Sequence, residues 1–157
     1  MSRIDDSARR LAAAAIRSGR TVAVAESLTC GRLSSALGAA PDSALWLRGG
    51  VVAYSADVKR RVLGVPEVAV VSETAARAMA VGVRRLFGAD VAVAVTGVGG
   101  PDPQDGEPAG SVWLAVHGES GTWARHELFD GEPDDVLRRT VEVALDMVGE
   151  AIGETSS

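Results

Sequence analysis

The sequence predicts an α/β protein, a three-layer α/β/α sandwich around a mixed, mostly buried sheet. Two observations predict this class. Segments with apolar residues at helical spacing alternate with short apolar runs that are typical of strands covered on both faces. Toward the C-terminus, two strand-like segments flank a turn that begins and ends with glycine, which is typical of a hairpin.

The composition indicates one globular domain, which we expect to span residues 1–157. A chain of 157 residues, 46% of them hydrophobic, is long enough for a sizeable core. Because no apolar run reaches about 18 residues and the N-terminus has no apolar signal segment, we expect no membrane contact and a cytoplasmic location. The formal charge of −5 argues against a general nucleic-acid-binding protein, and a single cysteine excludes an internal disulfide.

The first half of the chain is predicted to form helix, strand, helix, strand and helix. The first helix carries charges between its apolar residues and ends at Gly19. Gly49 and Gly50 in the second strand indicate a bulge or a close backbone approach, and Gly64 stops the third helix. These elements are predicted at Arg3–Ser18, Thr21–Ala25, Cys30–Ala39, Leu45–Ala53 and Ser55–Leu63.

The second half is predicted to form a helix, a strand, a hairpin and a last helix. Ser72 is the expected N-cap of the first of these helices, whose apolar stripe extends to Leu86. The hairpin turn lies at Gly118–Gly121, and Gly153–Ser157 is expected to be a frayed tail. The elements after the Ser72 helix are predicted at Val91–Val95, Ser111–His117, Thr122–Phe129 and Asp134–Ile152.

The segment Ala25–Gly31 places two hydroxyls where a strand turns into a helix. The N–H groups and the positive dipole end of that helix suit an anion or a developing oxyanion. Ser27 is a nucleophile, a phosphate ligand or a helix cap, and Cys30 is a reactive thiol or a small semi-buried filler. Since His117 and His126 flank the hairpin turn, we expect no Ser-His-Asp arrangement and no metal site, while a Ser-Lys pair stays open.

Two further turns follow apolar strands. Tyr54 ends one strand, Ser55 is placed to cap the next helix, and Lys59 is a base, a phosphate contact or a solvated charge. The glycine-rich segment Thr96–Pro101 is either an anion-binding nest or a flexible surface loop, and it lacks the spacing of a P-loop or a dinucleotide fingerprint. Because ligands of open α/β sheets bind beyond the carboxyl ends of strands, the three turns together predict a ligand cleft.

In their order, these motifs resemble the CinA carboxy-terminal domain family over roughly residues 5–152. The motifs are Ala25-Glu26-Ser27-x-Thr29-x-Gly31, Gly49-Gly50-Val51-Val52-Ala53-Tyr54-Ser55 followed by Lys59, Thr96-Gly97-Val98-x-Gly100-Pro101, and Pro108-x-Gly110-Ser111-Val112. The resemblance implies a compact, usually self-associating α/β/α domain. It also implies the activity of the enzymatic members, nicotinamide-nucleotide amidohydrolases, which convert nicotinamide mononucleotide and water to nicotinic acid mononucleotide and ammonia without a cofactor or metal.

The resemblance also implies roles for individual residues. Ser27 is then the nucleophile on the carboxamide carbon, Lys59 the base that activates it, and Tyr54 a residue that positions or shuttles the proton. The N–H groups that open the following helix would hold an oxyanion or a phosphate, and the glycine loop would frame the nucleotide. The residues implied to bind substrate are Thr29, Gly31, Thr96, Gly97 and Gly100.

Two positions depart from the family pattern. Cys30 stands where members usually have glycine. Pro133 stands where many have arginine, and Arg138 or Arg139 could replace that cation in space. The departures leave a second reading open, a nucleotide-binding or regulatory module of the same fold that has lost turnover. We also expect a homo-oligomer, in which some tryptophans lie at a subunit contact. The tryptophans, all predicted on strands or their edges, are Trp46, Trp113 and Trp123.

Overall fold

In the computed structural model, which describes residues 2–154, six helices cover the two faces of a five-stranded sheet. In chain order the elements are α1 (Arg3–Ser18), β1 (Val22–Glu26), α2 (Arg32–Gly38), α3 (Ser43–Trp46), β2 (Leu47–Val52), α4 (Ala56–Leu63), α5 (Glu73–Phe87), β3 (Val91–Gly97), β4 (Ser111–Gly118), β5 (Gly121–Leu128) and α6 (Pro133–Glu154). The strand order is β2-β1-β3-β4-β5. The first three strands in this order are parallel, and β4 and β5 add an antiparallel hairpin, so the predicted mixed α/β sheet is confirmed.

Valine and alanine alternate along β1 and β3, and the two residue types face opposite layers of helices. Val22 and Val24 pack in the core shared with α1 and α6, as do the valines of β3. Ala23 and Ala25 pack in the second core with α5, as do the alanines of β3. Successive side chains of a strand point to opposite faces, so this alternation gives the sheet one face of valines and one of alanines.

The predicted helix ends are largely confirmed. Ser55 Oγ accepts a hydrogen bond from Val58 N at 3.1 Å at the start of α4, and Ser72 caps α5 in the same way. Gly19 and Gly64 follow α1 and α4 in the left-handed conformation that glycine adopts without strain. Short-range capping signals therefore define these boundaries.

Three of the predicted elements need correction. The predicted strand Leu45–Ala53 begins only at Leu47, because Leu45 and Trp46 belong to the short helix α3. It forms β2, an edge strand whose residues alternate between half-buried and exposed. The helix predicted from Cys30 begins at Arg32, since Cys30 and Gly31 have positive φ angles of 44° and 100°. Leu86 lies outside the apolar stripe of α5 and is exposed.

The chain end and the tryptophans complete the fold. Helix α6 continues to Glu154, so the first two residues of the predicted tail are helical and residues 155–157 lie outside the described residues. No helix within the described range is long and apolar enough to cross a membrane. Trp46 is buried in the core, Trp113 on β4 is partly buried, and Trp123 on the edge strand β5 is 49% exposed. Self-association through any of them stays a prediction.

Candidate active site

A cleft of about 600 Å³ lies beyond the carboxyl ends of the parallel strands. Because β1, β2 and β3 run in the same direction, the turns that follow them meet at one edge of the sheet. Ser27 after β1, Tyr54 after β2 and Gly100 after β3 all line this cleft. The structure thus brings together the three turns that were singled out in the sequence.

Ser27 and Lys59 meet in this cleft, although they are 32 positions apart in the chain. Lys59 Nζ lies 2.9 Å from Ser27 Oγ and also donates to the carbonyl oxygen of Tyr54 at 3.3 Å. Both residues are buried, with Lys59 2% and Ser27 6% exposed. The Ser27 hydroxyl is therefore a partner of an amine, rather than the cap of α2, whose N-cap position is Gly31.

Lys59 is held inward by the local structure of α4. Its N–H donates to the carbonyl oxygen of Ser55 at 3.1 Å, which closes the first turn of the helix. Lys59 and Leu63 are four residues apart, and they form the buried side of α4. Burial lowers the pKa of Lys59 below its ordinary value of 10.5, because the ammonium ion loses its hydration while the neutral amine loses less. This favours the proton-accepting form of the side chain.

Glu26, the last residue of β1, holds the N-terminus of α2. Its side chain is fully buried and accepts five hydrogen bonds. Oε1 accepts from Thr29 Oγ1 at 2.6 Å, Gly31 N at 3.1 Å and Leu33 N at 2.9 Å. Oε2 accepts from Ser34 N at 2.9 Å and from Ser34 Oγ at 2.5 Å. The carboxylate occupies the position at the helix N-terminus that suits an anion.

This arrangement separates Thr29 and Gly31 from the other proposed substrate-binding residues. Both direct a hydrogen-bond donor at Glu26, and neither lines the cleft. The physical reason is that a buried carboxylate must have its oxygen atoms satisfied, and the free N–H groups of α2 supply the partners. Glu26 was missed as a site residue, and the available signal was an acidic residue between an apolar strand and a helix start.

The glycine segment forms another wall of the cleft. Thr96, Gly97 and Gly100 all line it. Thr96 Oγ1 donates to the carbonyl oxygen of Val70 at 2.7 Å, which ties the end of β3 to the chain before α5. A Cβ on Gly97 would lie 2.7 Å from the carbonyl oxygen of Ser111, so the close pairing with β4 requires glycine there. These residues shape the wall through packing and backbone contacts.

The aromatic ring and the thiol of the site region lie near solvent. Tyr54 is 68% exposed at the edge of the cleft, and its carbonyl oxygen is the group that contacts Lys59. Cys30 is exposed, so its interpretation as a semi-buried filler is wrong. Its φ of 44° turns the chain between Thr29 and Gly31 and directs this residue away from the core.

Arg138 does not supply a cation to the cleft. Pro133 lines the cleft at the start of α6, whereas Arg138 pairs with Asp135 at 3.1 Å and with Glu142 at 3.3 Å. These two carboxylates lie on the same helix, at spacings that bring side chains together. Among the described residues that line the cleft, Lys59 is the one lysine or arginine.

The two histidines belong to the hairpin, as predicted. His117 Nδ1 lies 2.7 Å from Thr122 Oγ1, and His126 Nε2 lies 2.9 Å from Ser111 Oγ. Neither histidine lines the cleft. Within residues 2–154, no three His, Cys, Asp or Glu side chains are grouped so that they could hold a metal ion.

Comparisons with known proteins agree with this architecture. Residues 4–152 match the model of the CinA C-terminal domain. A CinA superfamily protein from Klebsiella pneumoniae has a similar structure, with a TM-score of 0.92 and 34% identity over 96% of this chain and 98% of that chain. For a competence/damage inducible protein from Agrobacterium tumefaciens, the TM-score is 0.88 and the identity 32%, over 97% and 96% of the two chains.

Two relatives that are similar in sequence differ in length. A CinA-like protein from Gemmatimonas aurantiaca is 43% identical over 137 residues, which cover 83% of this chain and 32% of that protein. The chain spans about a third of the length of the first curated relatives that it matches. The nicotinamide-nucleotide amidohydrolase PncC from Pseudomonas putida is 42% identical over 131 residues, 80% of this chain and 82% of that protein. By its family match, its relatives and its fold, the chain belongs to the CinA C-terminal domain family.

Proposed function

We propose that this protein is an amidohydrolase that converts nicotinamide mononucleotide and water to nicotinic acid mononucleotide and ammonia. The observation that carries the proposal is the 2.9 Å contact between Lys59 Nζ and Ser27 Oγ inside the cleft. A serine hydroxyl needs an adjacent base to become a nucleophile, and a buried lysine with a lowered pKa is such a base. The name of the Pseudomonas putida relative supports the choice of substrate.

In the first half-reaction, neutral Lys59 accepts the hydroxyl proton while Ser27 Oγ bonds to the carboxamide carbon. The π electrons of the carbonyl move to its oxygen and form a tetrahedral oxyanion. The Lys59 ammonium then donates its proton to the amide nitrogen, and the oxyanion collapses. The C–N bond breaks, ammonia leaves, and the acyl group stays on Ser27 as an ester.

In the second half-reaction, water attacks this ester and Lys59 takes the proton of the water. Collapse of the second tetrahedral intermediate breaks the bond to Ser27 Oγ, which recovers its proton from Lys59. One water is consumed and one ammonia is released, so the balance requires no further reactant. Because the donors of α2 are bound to Glu26, we assign the oxyanion to other donors of the cleft rather than to Thr29 or Gly31.

The rest of the cleft suits a small nucleotide. Its volume of about 600 Å³ lies in the usual range for small-molecule sites. Tyr54 at its edge offers a ring on which the pyridine can stack, in addition to the carbonyl that holds Lys59. Thr96, Gly97 and Gly100 form the wall that we assign to the ribose phosphate.

The direct test is to incubate purified protein with nicotinamide mononucleotide and to measure ammonia and nicotinic acid mononucleotide together. We expect both products in equal amounts and none above background from Ser27→Ala. Ser35→Ala is a matched control, because Ser35 is an exposed serine on α2 outside the cleft. Wild-type protein that releases no ammonia from the nucleotide would contradict the proposal.

A second candidate is a nucleotide-binding module without turnover. The position of Pro133 on the cleft wall favours it, together with the pairing of Arg138 to carboxylates outside the cleft. In that case calorimetry would show binding of nicotinamide mononucleotide with no product formed. Measured turnover would exclude this candidate.

A further inference from the structure

We propose that Glu26 is a positioning residue, which fixes the turn of Ser27 relative to the turn that leads to Lys59. This inference rests on the proposed function, because it assigns Glu26 a part in the same reaction. Glu26 neither lines the cleft nor contacts Lys59 or the Ser27 side chain through a hydrogen bond of its own side chain. The side chain of Glu26 holds the turn that carries Ser27, and its carbonyl oxygen holds the turn that leads to Lys59.

The side chain of Glu26 fixes the first turn. Helix α2 has seven residues, too few to be stable alone, and Gly31 at its N-cap offers no side-chain acceptor. The Glu26 carboxylate, at the end of β1, supplies the missing cap. Hydrogen bonds therefore join the two ends of the segment between β1 and α2. Ser27 is the first residue of this closed segment, and its carbonyl oxygen accepts from Cys30 N at 3.1 Å. The position of the Ser27 hydroxyl therefore depends on the carboxylate.

The backbone of Glu26 fixes the second turn. Its carbonyl oxygen accepts a hydrogen bond from Ala53 N at 2.8 Å. Ala53 precedes Tyr54, whose carbonyl oxygen accepts from Lys59 Nζ, and Lys59 Nζ in turn contacts Ser27 Oγ. The contacts form a closed ring from Glu26 through the second turn and back to the residue that follows Glu26. A shift of the first turn is therefore transmitted to the distance between amine and hydroxyl.

The charge of Glu26 is essential to this role, because all five of its partners are donors. A glutamine has the same shape, but its amide NH₂ would face donors in either orientation. On one side it would meet the N–H groups of Gly31 and Leu33, and on the other the N–H of Ser34. Glu26→Gln therefore tests the carboxylate with almost no change in volume.

The experiment compares Glu26→Gln with Ser7→Ala in thermal unfolding, in steady-state hydrolysis of nicotinamide mononucleotide and in crystal structures. Ser7 is a matched control, since it is buried and donates to Asp146 at 2.8 Å between α1 and α6, outside the cleft. We expect Glu26→Gln to lower kcat about 100-fold and to leave KM within about threefold, as expected for displaced reacting groups. We expect Ser7→Ala to lose stability with kcat within about twofold.

A folded Glu26→Gln variant with wild-type kcat would overturn the inference, since a purely structural residue changes stability without changing turnover by the folded molecules. If Glu26→Gln does not fold, Ser34→Ala removes one donor from the same carboxylate, and we expect kcat to fall about fivefold against no change in Ser35→Ala. Unchanged kcat in Ser34→Ala would then overturn it.

Failure of the proposed function gives a different result. If the wild-type protein hydrolyses nothing, the crystal structure of the folded variant, Glu26→Gln or Ser34→Ala, decides the inference without an activity readout. A separation of Lys59 Nζ and Ser27 Oγ beyond about 3.5 Å would support the positioning role. A separation that stays at the wild-type 2.9 Å would overturn it.

Discussion

The turn after β1 carries Ser27 and the turn after β2 leads to Lys59 on α4, and these two turns are held in different ways. The first turn depends on a buried charge, the Glu26 carboxylate, whose five hydrogen bonds all stay inside the protein. The second is joined to Glu26 only through a backbone hydrogen bond, and the side chain that caps it, Ser55, is neutral and exposed to solvent. Buried charges are expensive to leave unpaired, whereas water can replace a lost surface cap. The proposed nucleophile, Ser27, therefore lies on the turn that tolerates less change.

The largest effect is expected from Ser27→Ala, which removes the reacting atom of the first turn. We expect hydrolysis of nicotinamide mononucleotide to fall by about 10⁴-fold or more, because no other group in the pair can form the ester. Stability should change little, since Lys59 Nζ keeps its contact with the carbonyl oxygen of Tyr54. Steady-state kinetics and thermal unfolding measure both quantities. Activity above a few per cent of wild type would show that another atom is the nucleophile.

On the helix that follows the second turn, Lys59→Met is expected to lower turnover about 10³-fold and to raise the free energy of unfolding at pH 7 by about 1 kcal/mol. The methionine fills the same space without a charge to desolvate. Because the pKa of Lys59 is lower in the folded protein than its ordinary 10.5, wild-type stability falls as the pH drops from above 10.5 toward the lowered value. The advantage of the variant should therefore be larger at pH 7 than at pH 10.5. Chemical unfolding at both values tests this, and an equal or reversed difference would contradict the assignment.

The pH dependence of kcat/KM tests the role of Lys59 separately from the role of Ser55, which caps the same helix. If Lys59 is the base, only its neutral form accepts the proton of Ser27, so kcat/KM should rise with pH and its midpoint should lie below the ordinary lysine pKa of 10.5. The profile of Ser55→Ala should have the same midpoint, since this variant leaves Lys59 in place. If kcat/KM decreased as the pH rises toward 10.5, the reaction would require protonated Lys59, and its role as the base would be rejected.

A weaker perturbation of the first turn is Thr29→Val, which removes the hydroxyl that donates to Glu26 at 2.6 Å. The carboxylate keeps its other partners, so we expect kcat to fall about tenfold and stability by about 1–2 kcal/mol. Kinetics and unfolding of the same preparation give both values. Unchanged kcat would mean that the first turn tolerates the loss of a hydrogen bond as well as the second turn does.

The smallest effect is expected from Ser55→Ala in the second turn. Loss of an N-cap typically costs about 1 kcal/mol, or about 2–4 °C in Tm for a domain of this size. We expect kcat within about twofold of wild type, because Lys59 keeps its backbone bond to residue 55. A drop in kcat as large as that of Thr29→Val would remove the difference between the turns.

Most of the fold and part of the candidate site could be predicted from the sequence. Short-range patterns predicted most elements, since the apolar runs of β1 and β3 and caps such as Ser72 are local signals. The positions of Ser27 and Lys59 after parallel strands, together with the family resemblance, predicted that they share a cleft. Helix α3 was missed because four residues are too few to show a helical period.

The role of Glu26 was missed for a different reason. Sequence shows that N–H groups are free at the start of α2, but it does not show which acceptor fills them. The family resemblance implied that Thr29 and Gly31 bind the substrate, and the structure directs them to the carboxylate. The exposure of Cys30 depends on its left-handed backbone conformation, which no apolar pattern encodes.

The alternation of valine and alanine in β1 and β3 gives the two layers of the domain unequal tolerance to mutation. On the valine face, a smaller residue leaves a void beneath α1 and α6. On the alanine face, a larger one at Ala25 or Ala94 pushes α5 outward, and α4 with Lys59 rests against α5. The distance between Ser27 and Lys59 thus depends on the smallest side chains of the interior, so enlarging one of these alanines reaches the cleft without touching any residue that lines it.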